Sequence, residues 1–302
     1  VAGVTKLRYK KVMDEIAPRI PPFEILAPAR QLLPLVVASP HSGQLYPEDL
    51  LEASRLDPRA LRKSEDCFVQ EIFAGAPALG APLIHALFPR AYVDPNREPY
   101  ELDPVMFEDE LPDWVNRTSP RVAVGLGTIA RVVADGEDIY RRKLRFAEAE
   151  RRIDRFYRPY HAALEQLIAV TVERFGACLL LDAHSMPSAG ARGELPRRRV
   201  DIVLGDRLGT SCHTRVTRTA EARLRALGFH VALNAPYAGG YTTRHYGRPD
   251  RGRHCLQIEI NRALYMDERN FEPKAALGKL RADMADLIAC LGRLDPGSLA
   301  AA

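Results

Sequence analysis

Two histidines and a carboxylate brought to one point are a common catalytic zinc set, because three protein ligands leave the fourth tetrahedral position open to water or substrate. The sequence offers the histidines as His41, in Pro40-His41-Ser42-Gly43, and His184, in Asp182-Ala183-His184-Ser185. The carboxylate is expected from Ser64-Glu65-Asp66, with Asp66 the first choice and Glu65 the reserve. On a helix those neighbours point about 100° apart, so they cannot face a metal equally. Singly, each residue has an ordinary reading: a histidine bonded at a strand end, or acids favouring a helix N-terminus. Their combination carries the chemical one.

Asp182 precedes His184 by two residues, which puts both on one strand face, where the acid could orient the imidazole through its second nitrogen or simply cap the next turn. Glu259 stands alone on the apolar stretch 255–260, and a buried acid is costly unless paired or used. Its functional reading is a general base for metal-assisted hydrolysis that returns the proton to a leaving nitrogen; its structural one is a salt bridge to an arginine. A fourth cluster is Asp94-Pro95-Asn96-Arg97. The turn-rich segment 236–247, with Gly239-Gly240 and Arg244-His245, could bring backbone and cationic groups to a ligand. His245 there could steady oxyanion charge, or be a surface histidine.

These clusters need elements to converge. The unbroken apolar run 32–39 predicts a buried strand, and 64–73 a helix with an acidic first turn. Strands are expected at 82–87, 91–94 and 128–133, separated by a Pro-rich acidic loop over 96–120. Helical spacing predicts one long amphipathic helix over 139–175, kinked or broken near Pro159. Then come a strand at 177–181, a polar loop to Arg199, a strand at 200–204, a helix at about 215–227, strands at 229–233 and 255–260, and a closing helix over 273–291. Solid apolar strands alternating with helices predict an α/β fold with a mixed, mostly parallel sheet flanked by helices. Ligands bind beyond the carboxyl ends of such strands. No linker or repeat divides residues 1–302, so a single domain is expected.

The whole chain fits a globular protein: 302 residues, 46% hydrophobic and 27% charged. A net charge of +4 with no continuous basic track argues against nucleic acid. No apolar run approaches the roughly 18 residues of a membrane span. Residues 1–15 lack the apolar core of an export signal. Five scattered cysteines suit reduced thiols, so a cytoplasmic location is expected. The arginine-rich excess is compatible with a small anionic substrate.

The motifs SPHSG (39–43), SED (64–66), AYVDPNR (91–97), LDAHSM (181–186), NAPYAGGYTTRHYG (234–247) and QIEINRALYM (257–266) together resemble N-formylglutamate amidohydrolases, in matching order across about 33–268. The resemblance implies a phosphorylase/hydrolase-like core similar to zinc carboxypeptidases and aspartoacylases. It also implies hydrolysis of N-formyl-L-glutamate to formate and glutamate, the last step of one histidine-degradation route. It assigns His41, Asp66 and His184 to one divalent metal, Zn2+ by this likeness, and Glu259 as catalytic acid/base. Similar ligand sets accept Mn, Fe or Co. By similarity to the DxNR motif of aspartoacylases, Asn96 and Arg97 would hold the substrate carboxylate, the arginine fork suiting it. A glutamyl group has a second carboxylate, for which Arg244 is the candidate cation. Pro95 and Ala183 depart from the aliphatic residues expected at their positions. Competing readings are another N-acyl amino acid amidohydrolase or carboxypeptidase-like hydrolase on the same site, a serine hydrolase on Ser42 or Ser185, which lacks a G-x-S-x-G elbow, and a non-catalytic anion- or metal-binding protein.

Overall fold

The computed structural model describes residues 20–189 and 199–299. Seven strands form one sheet: β1 (Phe23–Leu26), β2 (Leu35–Ser39), β3 (Leu83–Ala86), β4 (Cys178–Met186), β5 (Ile202–Gly205), β6 (Val231–Leu233) and β7 (Arg253–Asn261), in the order β1-β3-β2-β4-β7-β5-β6. Neighbours β3, β2, β4 and β7 are parallel. The edge strand β1 is antiparallel to β3, and β5, itself parallel to β6, is antiparallel to β7. The expected mixed, mostly parallel sheet is therefore present.

Alternation along β2 shows why the central strands read as solid apolar runs. Val36 and Ala38 enter a core on one face, beneath helix α1 (Arg158–Phe175) with Tyr160, Leu164 and Ile168. Leu35 and Val37 enter the core on the other, which holds α2 (Thr214–Ala226) through Val216, Ala220 and Leu224. A short helix, α3 (Tyr241–Tyr246), follows β6, and α4 (Ala276–Leu291) joins the second core through Met284, Leu287 and Ile288. A strand buried on both faces has no polar side to alternate with.

Several expected boundaries move. Residues 91–94 and 128–133 are buried coil rather than strands: Tyr92 N–H bonds back to Pro89 O at 2.9 Å, and Asp94 N–H to Thr128 O at 2.7 Å. The helix expected over 64–73 shrinks to Val69–Ile72, because Phe68 adopts a left-handed conformation (φ 64°) that ends any helix arriving from before it. The long helix begins at Phe146, not 139, and passes through a π-helical turn at Ile153–Tyr157 before α1, whose first turn contains Pro159. The break thus falls beside the proline, whose missing N–H is harmless in a first turn. Strand β4 runs past the expected end at 181, through the whole Asp182–Ser185 cluster. Part of the polar loop expected before Arg199 lies outside the described residues, as does the segment 1–15.

Candidate active site

The carboxyl ends of the parallel strands deliver the reactive groups. The chain leaves β2 at Ser39 and turns through His41; Gly43 is required there, since a Cβ would lie 2.1 Å from Phe88 O. On β4 and β7 the register sets His184 beside Glu259 and Asp182 beside Gln257, on the face that also carries Leu180 and Cys255 toward α1. Asp66 arrives on a turn, not a helix, its N–H bonded to His41 O at 3.0 Å.

Nδ1 of His41, Nδ1 of His184 and Oδ2 of Asp66 converge. The two nitrogens are 3.1 Å apart, and the carboxylate oxygen is 3.3 Å from the first and 3.1 Å from the second. Ligand atoms around a tetrahedral metal with bonds of ~2.0–2.1 Å are spaced ~3.3 Å apart. Three lone-pair donors aimed at one point repel unless a cation or shared proton lies among them, so the donor set and its spacing fit a divalent metal. All three side chains are buried.

Surrounding groups hold these three side chains in place. His41 Nε2–H donates to Asp94 Oδ1 at 2.7 Å, which leaves Nδ1 as the lone-pair donor. Asp94 in turn accepts from Arg90 Nη2 at 2.6 Å and from the Asn96 N–H at 2.8 Å. Burial alone would raise the Asp94 carboxyl, but Arg90, His41 and Arg97 hold it well below the usual carboxylate range. Arg262 donates to Asp66 Oδ1 at 3.1 Å, opposite the oxygen facing the histidines. Burial likewise opposes ionisation of Asp66, and hydrogen bonds to His184 and His41 overcome it, keeping its pKa well below normal. Glu65 is turned away: it accepts from Tyr46 Oη at 2.6 Å and Arg62 Nε at 3.1 Å. Of the two acids, Asp66 is the one that reaches both histidines.

Asp182 is fully buried and lies 3.0 Å from His184 Nε2, yet neither of its oxygens makes a well-aligned hydrogen bond, so the pairing is a charge contact. Burial depresses the His184 imidazole, and Asp182, Asp66 and Glu259 outweigh it to raise its pKa well above the usual range. Glu259 accepts from Gln257 Nε2 at 2.9 Å. Burial, opposed by His184, pushes its pKa up to about 7, a value suited to taking and returning a proton near neutrality.

His41, Asp66, His184, Gln257 and Glu259 line a cavity of about 290 Å³ that also contains Asn96, Arg97, Arg121 and Tyr237. Asn96 Nδ2 lies 3.2 Å from His184 Nε2, its amide oriented by the Thr242 N–H donating to Oδ1 at 2.9 Å. Arg97 donates from Nε to Leu126 O and from Nη1 to Asn96 O, each at 2.8 Å. Arg244 is placed elsewhere: it pairs with Glu98 at 3.2 Å at the surface and is outside the cavity lining. His245 is also outside that lining, stacked on Tyr241 with its Nδ1 3.2 Å from the phenol oxygen. Arg90, Arg121, Arg262 and Gln257 were not singled out from sequence; only Arg262 and Gln257 fall inside a recognised motif. A larger, shallower groove of about 650 Å³ along α2 holds arginines but none of the converging groups. Ser42 Oγ bonds Ser39, and Ser185 Oγ accepts from Arg262, so neither serine meets a histidine among the described residues.

Fold and cavity together are those of an α/β amidohydrolase. The chain belongs to the N-formylglutamate amidohydrolase family, whose model matches residues 33–266. It is 30% identical over 270 residues to an N-formylglutamate deformylase of Pseudomonas aeruginosa, covering 87% of this chain and 91% of that protein. A Pseudomonas putida protein of the same name is 29% identical over 242 residues, covering 78% and 83%. The crystal structure of an N-formylglutamate amidohydrolase from Ralstonia eutropha superimposes with a TM-score of 0.87 at 39% identity, covering 92% of this chain and all (100%) of that one.

Proposed function

We propose that this protein hydrolyses the formamide bond of N-formyl-L-glutamate to formate and L-glutamate with one divalent metal, zinc in the first instance, held by His41, Asp66 and His184. One observation carries the reading: three buried donor atoms 3.1–3.3 Å apart, with the buried carboxyl of Glu259 on the strand position beside His184. The two Pseudomonas deformylases and the Ralstonia amidohydrolase support the substrate. A divalent metal at this point supplies Lewis acidity, toward an amide carbonyl and toward water alike.

The chain's own residues do the rest. Glu259 takes a proton from the attacking water as the new C–O bond forms, then gives it to the amide nitrogen as the C–N bond breaks. Gln257 keeps one Glu259 oxygen occupied at 2.9 Å, so the other is the one that exchanges the proton. Asn96 and Arg97 hold the substrate carboxylate nearest the scissile bond. Asp94 and Arg262 do not touch substrate; they keep His41 and Asp66 aimed. No helix among the described residues is long and apolar enough to cross a membrane. The five cysteines are unpaired, which suits a reducing compartment; the proposed place of the reaction is the end of a histidine-degradation route in the cytoplasm.

The test combines metal content with turnover of N-formylglutamate. The protein as purified is expected to carry about one divalent ion per chain, to lose activity on chelation and to regain it on adding metal back. Glu259→Gln should keep the ion and lose at least about 100-fold in kcat. Activity that survives complete removal of metal, or a Glu259→Gln variant with unchanged kcat, would overturn the proposal.

A further inference from the structure

Four arginines line the cavity, and three have a task inside the protein. Arg90 is bonded to Asp94 at 2.6 Å, Arg262 to Asp66 at 3.1 Å, and Arg97 spends two of its nitrogens on backbone carbonyls. The Arg121 guanidinium has no ion pair or hydrogen bond among the described residues. It is solvent-exposed at the rim of the cavity.

The rim is nevertheless built. Arg121 sits in the short helix Pro120–Ala123, whose N–H groups at Arg121 and Val122 are capped by Ser119 Oγ, itself bonded to Glu101. Leu126 N–H donates to Arg121 O at 2.8 Å, and Leu126 O accepts from Arg97 Nε at 2.8 Å. This two-bond relay fixes the backbone bearing one cation to the side chain of the other. Burial, and then Arg90 and Arg121, depress the Arg97 guanidinium, while Asp94, 3.9 Å from its Nη2, opposes them. Arg97 has Asp94 as a neighbouring anion, whereas Arg121 has none among the described residues, so the cation at the mouth is the one left to meet an anionic occupant.

Depth decides which anion goes where. Asn96 and Arg97 are buried, and Asn96 packs against the His184 ring at Nε2, 3.2 Å away, so this pair lies in the depth of the cavity, whereas Arg121 is exposed at the mouth. In an N-acyl amino acid the α-carboxylate is attached to the carbon that bears the scissile nitrogen; a side-chain carboxylate lies farther out. We propose that Arg121 binds the side-chain carboxylate of the substrate and is the residue that selects an acidic N-acyl amino acid over a neutral one. This rests on the hydrolase reading above and moves the second cation from Arg244 to Arg121.

The experiment compares N-formylglutamate with N-formylglutamine, its neutral counterpart, on wild-type metal-loaded protein, Arg121→Gln and Arg121→Lys. Arg121→Gln should raise KM for N-formylglutamate about 30-fold with kcat little changed, and should alter N-formylglutamine less than about 3-fold. Arg121→Lys should recover part of the loss. A glutamate-over-glutamine preference that survives Arg121→Gln, or equal losses on both substrates, would overturn the assignment. If wild type hydrolyses neither compound, the hydrolase reading fails by itself. Calorimetry of L-glutamate against L-glutamine on the same proteins then decides Arg121: weaker glutamate binding in Arg121→Gln sustains the site, unchanged binding removes it.

Discussion

Asp94 decides which nitrogen of His41 is offered to a metal. Its carboxylate, held in place by Arg90 and the Asn96 N–H, accepts from Nε2 at 2.7 Å, so Nδ1 must face His184 and Asp66. Asp94→Asn keeps the shape but can present its amide N–H₂ to Nε2, which favours the other tautomer and spoils the donor. Metal affinity should fall about 10–100-fold, while far-UV circular dichroism stays unchanged. Competition with a chromophoric chelator measures this, and an unaltered dissociation constant would show that Asp94 has no such role. The converging His41, Asp66 and His184 and the strand acid Glu259 were legible in sequence because histidines are rare, and because acids beside a helix start or alone on an apolar strand are chemically pointed. Arg90, Arg121 and Arg262 were not: in a chain with 43 lysines and arginines, nothing local marks which of them faces inward.

The segment 94–97 is held by neighbouring elements rather than by regular structure of its own. From α1, His161 Nε2–H donates to Pro95 O at 2.9 Å, while its Nδ1 accepts from Tyr246 of α3 at 2.7 Å; just before α1, Tyr157 Oη donates to Arg97 O at 2.8 Å. From α3's N-terminus, Gly240 lies so close that a Cβ would be 2.5 Å from Asn96 Oδ1. His161 must stay neutral to serve both partners, and burial pushes its pKa down to about 4. The folded value lies below the ordinary one near 6.5, so the unfolded chain binds the extra proton and stability rises with pH across that window. Acidification from about 6.5 to about 4 should therefore cost about 2–3 kcal/mol through this group, allowing for its part-exposed ring. Urea titrations of wild type and His161→Gln should show a shallower loss in the variant; parallel pH curves would rule the effect out. The same segment shows where sequence reading of elements stops. Residues 91–94 and 128–133 look like strands because Val93 and Ile129 are completely buried (0% exposed), but apolar runs report burial, not hydrogen-bonding pattern. Conversely β1 was missed because it is a four-residue edge strand, half exposed, behind two prolines. The central strands were legible because both their faces are covered.

At the scale of the whole molecule, the site ties together parts of the chain that the fold keeps apart in sequence. His41 and His184 are 143 positions apart, and Asp66 and His184 118, so a shared ion would cross-link the turns after β2 to the centre of the sheet. Such an ion binds only the folded chain and must stabilise it by mass action, by about 3 kcal/mol at a free concentration of 100 times its dissociation constant. It would also offset the repulsion among Asp66, Asp182 and Glu259, three acids buried around one point. For a chain of this length, that stabilisation corresponds to a rise in Tm of about 5 °C or more. Scanning calorimetry of the chelated protein, before and after adding zinc, should show that rise; in His184→Ala it should vanish, since two remaining ligands bind too weakly to count. The measurement needs no substrate, so it separates metal binding from catalysis. Superimposed transitions for chelated and zinc-loaded wild type would mean that the three converging side chains are a structural hydrogen-bond cluster.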